Sequence, residues 1–170
     1  MGVIQKKVCL LGDFSVGKTS LIRRFVEGSF DDSYISTIGV KVSRKRVVDG
    51  GDEVNLMIWD LAGGDDFRGA QSGYLLGTVG ALIVCDLTRP DTLGALWDYS
   101  EQLRGINREA RIVFAGNKVD LVAERQISDS QLQAVGDELG GPVIYTSAKT
   151  GDNVEEAFFY LAQKELVWGD

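Results

Sequence analysis

The stretch Gly12-Asp13-Phe14-Ser15-Val16-Gly17-Lys18-Thr19 follows the order G-x-x-x-x-G-K-[ST] directly after an apolar run, Val8 to Leu11. The chemistry these residue types permit is capture of a phosphate chain. Glycine at both ends allows backbone conformations that a Cβ forbids, so the loop can wrap an anion with its N–H groups turned inward. A helix starting near Lys18 adds the positive end of its dipole. Lys18 supplies a mobile cation for the outer phosphates, and the Thr19 hydroxyl is placed to ligate Mg²⁺. Asp13, Phe14, Ser15, Val16, Gly17, Lys18, Thr19 and Ser20 are therefore the candidate phosphate-binding residues.

Such a loop needs a strand before it and a helix after it. Lys6 to Leu11 reads as that strand, and Thr19 to Glu27 carries Leu21, Ile22, Phe25 and Val26 at helical spacing, with Gly28 as its end. Residues 29–39 are polar and turn-prone. Val40 to Val48 and Glu53 to Asp60 flank Asp49-Gly50-Gly51-Asp52, which predicts an antiparallel hairpin with its first arm at the sheet edge. Beyond Asp60 the glycine- and aspartate-rich segment to Gly69 reads as loop, with a short helical stretch at 71–76. The runs Val79–Asp86 and Arg111–Gly116 suit parallel strands covered on both faces. A crossover helix over Asp91–Arg108, capped by Asp91 or Thr92, lies between them. A helix over Asp129–Leu139, a strand over Pro142–Tyr145 and a closing helix over Val154–Val167 complete the chain. The expected fold is a three-layer α/β/α sandwich, its sheet six-stranded and mostly parallel with one antiparallel edge strand, and the length suits a single domain spanning 1–170. In such a sheet a ligand lies beyond the carboxyl ends of the strands, where Asp60 to Gly63, Asn117 to Asp120 and Ser147 to Lys149 all fall beside the phosphate loop.

Composition narrows the function further. A net charge of −7 argues against a nucleic-acid partner. The chain has no histidine, which excludes imidazole acid–base chemistry and histidine metal ligation. Cys9 and Cys85 each sit inside an apolar run and read as buried free thiols, which points to a reducing, cytoplasmic setting. No apolar stretch reaches membrane-spanning length. The start lacks the serine or threonine of a myristoylation site and the end lacks a cysteine to prenylate, so no direct membrane anchor is expected.

Taken together, the phosphate loop, Thr37-Ile38-Gly39, Trp59-Asp60-Leu61-Ala62-Gly63, Asn117-Lys118-Val119-Asp120 and Ser147-Ala148-Lys149 resemble the Ras superfamily of guanine-nucleotide switches, most of all its Rab branch. The resemblance covers nearly the whole chain and implies a G domain that binds GTP or GDP with Mg²⁺ and hydrolyses GTP. It implies that Asp120 pairs with guanine's N1–H and 2-amino group, which adenine cannot offer. Lys118 would lie along the base, the Ala148 N–H would meet O6, and Asn117, Leu121, Ser147 and Lys149 would complete the base site. Phe30 matches an aromatic that stacks at the base edge, a position that packing alone can also explain, and Tyr34 would join the nucleotide contacts. Thr19 would ligate Mg²⁺ directly, Thr37 would join when a γ-phosphate is present, and Asp60 would act through water. Thr37 and the Gly63 N–H would tether two loops to the γ-phosphate, which is the switch. Lys18, Thr37, Gly63 and Gly64 are the residues expected around the reacting phosphate, and effectors and regulators are expected to meet loops 30–40 and 60–76.

Two departures bear on turnover. The family has a water-orienting glutamine directly after Gly63, where this chain has Gly64. Asp65 or Asp66 could substitute only at the cost of like charge beside a triphosphate. Phe14 occupies a position where the family has a small residue, and its ring would obstruct an arginine arriving from an activating protein. Slow hydrolysis is the expectation, and a GTP-bound adaptor with negligible hydrolysis is the alternative. A phosphate-transferring kinase or an ATPase fits less well, because Asn117 to Asp120 selects guanine. Trp59 and Tyr74, with Val42 as the third position, match an effector-reading patch, and serve equally well as packing residues.

Overall fold

Alternate residues of the apolar runs enter two different cores, one on each face of a single sheet. Val8, Leu10, Leu82, Val84, Val113 and Ala115 pack into one core, and their neighbours Cys9, Leu11, Ala81, Ile83, Ile112 and Phe114 into the other. A run that is apolar at every position is thus a strand covered on both sides. The computed structural model describes residues 3–26, 34–35, 40–63 and 70–163, of which 34–35 and 70–72 are described in backbone only. Phe30, Thr37, Gly64, Asp65 and Asp66, the expected helix end at Gly28 and the side chain of Tyr34 lie outside the described residues.

Among the described residues the order is β1 (Val3–Gly12), α1 (Lys18–Val26), β2 (Tyr34–Ile35), β3 (Lys41–Asp49), β4 (Asp52–Asp60), a 3₁₀ turn at Ala70–Leu75, β5 (Thr78–Asp86), α2 (Asp91–Ile106), β6 (Arg111–Asn117), α3 (Asp129–Leu139), β7 (Val143–Thr146) and α4 (Val154–Ala162). Helices α1 and α4 cover the first core; the rings of Phe25 and Phe158 stack there at 4.3 Å. Helices α2 and α3 cover the second through Leu96, Tyr99, Leu103, Leu132 and Val135. The layers are those expected.

The strands lie in the order β2-β3-β4-β1-β5-β6-β7. The six longer strands match the expected sheet, and β3 is the antiparallel one, paired with β4 through the turn Gly50-Gly51 at φ 59° and 90°. The two-residue β2 adds to its outer edge. β1 runs parallel to β4 on one side and β5 on the other. Strand order therefore reverses at β1, and the crevice of the sheet opens at its carboxyl end, where the phosphate loop begins.

Helix ends follow local chemistry. Helix α3 starts with a reciprocal capping box between Ser128 and Gln131 and ends at Gly140 in the left-handed region, φ 75°. Two boundaries differ from expectation. Neither Asp91 nor Thr92 caps α2: the N-cap position is Pro90, and Thr92 is fully buried, its hydroxyl donating to the Arg89 carbonyl at 2.7 Å and accepting from the Asp86 N–H at 2.9 Å. Thr92 is consumed by strand-to-helix packing. Helix α4 ends at Ala162, where Gln163 turns extended and Lys6 Nζ takes the carbonyls of Ala162 and Gln163 at 3.0 and 2.9 Å; the rest of the expected span, 164–167, lies outside the described residues. No helix among the described residues is long and apolar enough to cross a membrane.

Candidate functional site

The loop between β1 and α1 bends because its glycines sit where no side chain fits. Gly17 has φ 108°, and a Cβ there would fall 2.3 Å from Asn117 Nδ2. Gly63, arriving from β4, packs its backbone on the loop: an added Cβ would lie 2.4 Å from the Gly12 carbonyl oxygen. Leu61, 1% exposed, anchors that approach in the core. Three segments thereby converge on one point.

Lys18 is only 7% exposed, and its Nζ donates to the carbonyls of Gly12 at 2.8 Å and Asp13 at 2.9 Å. Burial brings its ammonium down to about 8, with the Asp60 and Asp13 carboxylates pulling it up and the Arg89 guanidinium pushing it down. A buried cation held by neutral carbonyls is stabilised by an arriving anion. Thr19 Oγ1 donates to Asp60 Oδ2 at 2.5 Å, which sets a hydroxyl and a carboxylate side by side. Thr19, Lys18, Asp60 and Gly63 line an open cleft of about 650 Å³, together with Phe14 and Lys118. Phe14 is 72% exposed at the loop's tip. Ser20 also lines the cleft, whereas Val16 is fully buried and holds the loop to the core.

Asn117 and Lys118 reach this loop from the end of β6. Asn117, 2% exposed, donates from Nδ2 to the Val16 carbonyl at 2.9 Å and accepts from the Thr146 hydroxyl at 3.1 Å, so it braces the loop from within. Lys118, at φ 70°, directs Nζ to the Ser15 carbonyl at 3.3 Å and to Asp86 at 2.8 Å. Two residues on, Asp120 Oδ1 accepts from the Ser147 hydroxyl at 2.7 Å. Ser147 in turn holds the segment after β7 through the Thr150 N–H at 3.1 Å. Asp120 and the Ser147-Ala148-Lys149 segment are thus together, at the far end of Lys118 from the phosphate loop. Leu121 closes the turn with its N–H on the Lys118 carbonyl at 3.0 Å.

Three features escaped the sequence reading. Lys41, at the start of β3, lines the cleft, and nothing in the pattern marks it. Asp86, 1% exposed, gathers Lys118, Arg89 and Thr88 around its carboxylate. Burial alone would raise that carboxyl, but the hydrogen bonds from Lys118, Thr88 and Arg89 outweigh it and keep the group below the usual carboxylate range. Arg89 goes further and donates from Nη2 to the Phe14 carbonyl at 2.6 Å. An acid closing an apolar strand and followed by Leu-Thr-Arg was the available signal.

The aromatic patch is only partly as expected. Trp59 and Tyr74 are half-buried against the second core, and Val42 is completely buried, so Val42 cannot be its third exposed member. Lys7 explains the arrangement: its Nζ sits 3.9 Å from the Trp59 ring centroid and donates to the carbonyls of Tyr74 and Leu76. The free thiols of Cys9 and Cys85 are buried as expected, and burial pushes them up to about 11 and about 12.

Comparison with known proteins places this geometry in a family. Residues 7–166 match the model of the Ras family. The chain is 41% identical over 157 residues to the GTP-binding protein YPTM1 of Zea mays, covering 92% of this chain and 76% of that protein. It is 39% identical to the Ras-related protein SEC4 of Saccharomyces cerevisiae, with 92% and 73% covered, and 34% identical to the Ras-related protein Rab-3C of Mus musculus, with 89% and 67% covered. A phosphate loop at the sheet's reversal point, braced by Asn117 and Lys118 and faced by Asp60 and Gly63, is what these matches have in view: the chain belongs to the Ras family and is a Rab-like small GTPase.

Proposed function

We propose that this chain is a GTP-operated switch whose own turnover is slow. The observation that carries the reading is that Asn117 and Lys118, on the segment bearing Asp120, hold two carbonyls of the phosphate loop. Base reading and phosphate holding therefore belong to one rigid unit. Asp120, already oriented by Ser147, takes guanine's two donors; adenine would leave the carboxylate facing an acceptor. Lys18 exchanges its carbonyl partners for the outer phosphates, and the loop's N–H groups take the remainder.

The site suits Mg²⁺. Thr19 and Asp60 bring two hard oxygen donors to the phosphate end of the cleft, and an ion that keeps several waters and borrows phosphate oxygens needs few protein ligands. Thr19 would hold it directly, Asp60 through water, and Thr37 would join in the GTP form. When bound, the ion supplies positive charge that offsets the charge of the phosphates. The switch itself rests on Thr37 and Gly63 gripping the γ-phosphate, so effectors and regulators read residues 30–40 and 60–76. The buried thiols suit a cytoplasmic setting, and residues 1–170 are read as one G domain.

Slow turnover of the chain alone follows from Gly64, which offers no side chain to hold the attacking water, while Phe14, whose ring is exposed at the tip of the loop, would limit stimulation by an arginine from an activating protein. The same exposed ring favours the second reading, an adaptor that stays GTP-bound. Single-turnover release of phosphate from preloaded GTP·Mg²⁺ separates the two. Release well below 10⁻⁴ s⁻¹, about the family's intrinsic scale, supports the slow enzyme; release at that scale or faster means another group does the glutamine's work, Asp65 and Asp66 being the next to mutate; intact GTP after many hours supports the adaptor. Tighter binding of ATP than GTP in direct competition would remove both.

A further inference from the structure

Three successive carbonyls of the phosphate loop are each held by a side chain from outside it. Asn117 holds that of Val16, Lys118 that of Ser15, and Arg89 that of Phe14, at 2.9, 3.3 and 2.6 Å. The C=O of one residue and the N–H of the next share a rigid trans peptide plane and point in opposite directions. Fixing these three oxygens outward therefore fixes the N–H groups of Ser15, Val16 and Gly17 inward. Ser15 pays a conformational cost for this, since φ 61° lies in the left-handed region. Its two flanking planes are the ones held by Arg89 and Lys118.

We infer that Arg89 is a positioning residue for nucleotide binding, the third brace of the phosphate loop, which acts by aiming the Ser15 N–H at the phosphates. The guanidinium is itself fixed, because its Nε rests 3.1 Å from Asp86 Oδ2 while Nη2 reaches the loop. Neither the fold nor the other two braces depend on it. Without Arg89 the buried Asp86 carboxylate still has Lys118 at 2.8 Å and both donors of Thr88. Lys118 and Asn117 keep their own carbonyls. The inference rests on the nucleotide reading given above and adds a residue from the β5–α2 junction to it.

The test compares the wild-type protein with Arg89→Ala and Arg89→Lys, each loaded with GDP and Mg²⁺. Two quantities are read: the dissociation rate of a fluorescent GDP, and the ¹⁵N–¹H amide positions of Ser15, Val16 and Gly17. Arg89→Ala should release GDP about tenfold faster, the loss of one hydrogen bond from a charged donor. It should displace the Ser15 amide while leaving those of Val16 and Gly17 in place. Arg89→Lys, which keeps a donor able to reach the Phe14 carbonyl, should recover most of the retention. An unchanged release rate with an unmoved Ser15 amide overturns the inference, as does equal displacement of all three amides with no recovery in the lysine variant. A wild-type protein that takes up no GDP overturns the nucleotide reading itself, an outcome separate from either.

Discussion

The two ends of the site are built on opposite logic. At the phosphate end the receptor is backbone, and side chains serve chiefly to hold backbone carbonyls: Arg89, Lys118, Asn117 and, before a ligand arrives, Lys18 itself. At the end proposed for the base, the receptor is one side chain, Asp120, oriented by one hydroxyl, that of Ser147. The first arrangement stabilises any chain of phosphates and cannot tell one base from another. The second, on the proposed reading, discriminates by hydrogen-bond pattern. Retention and identity are thus handled by different parts of one rigid frame, joined through Lys118.

Substitutions at each end should separate these roles. The largest effect is expected from Lys18→Ala, which should weaken GTP and GDP by about 1,000-fold alike, since it removes a buried cation; equilibrium titration would show it. Preference for GTP over the inosine nucleotide, which lacks only the 2-amino group, should survive in that variant at whatever affinity remains. Asp120→Ala should do the reverse: affinity for GTP falls about 100-fold, while that preference collapses to roughly 1. If Lys18→Ala also erased the preference, the division between the two ends would be wrong. Next comes Gly64→Gln, which supplies a water-orienting amide and should speed single-turnover hydrolysis about tenfold, near 1.4 kcal/mol off the barrier. Unchanged turnover would shift the cause to Phe14 crowding the water or to the surrounding geometry, and Phe14→Gly added to Gly64→Gln tells these apart: a released rate assigns it to Phe14.

The smallest effect concerns the strands beneath the phosphate end. Cys9 and Cys85 sit in β1 and β5, and their thiols are raised by burial to about 11 and about 12 from an ordinary value of 9.0. The folded state holds these protons where the unfolded chain gives them up. Their contribution to stability is therefore complete below pH 9 and declines as pH rises through 11 toward 12. Melting temperature should fall across that window, and the Cys9→Ser/Cys85→Ser pair should flatten the pH slope. Alkylation of both thiols should stay negligible at pH 8 in the wild type and in the cleft variants alike. Labelling in Lys18→Ala would mean that the sheet had loosened, and that its lost affinity was not a local matter.

Much of this frame was legible in the chain. Apolar runs without polar interruption, as in Val79 to Asp86, could only be strands covered twice, and Asp49-Gly50-Gly51-Asp52 could hardly do anything but turn back. Asn117 was found but for a narrower reason: it was expected at the base, and the structure shows it inside the loop's own bracing. Arg89 was not found, because its partner Phe14 is distant in sequence and the contact is to a carbonyl, which carries no residue signature. Likewise Thr92 looked like a helix cap in linear order, yet three-dimensional packing had already claimed its hydroxyl. Periodicity reports which face is covered; it does not report which long side chain reaches across to which backbone oxygen.

Leu61 and Leu75, both essentially fully buried in the same core, stand like two mooring posts on either side of the segment between them. Because a chain pinned at both ends loses only about 0.6 kcal/mol for each doubling of its length, a change of length between these two residues costs the sheet little, whereas Gly63 beside the first post stays fixed, its backbone packed on the Gly12 carbonyl.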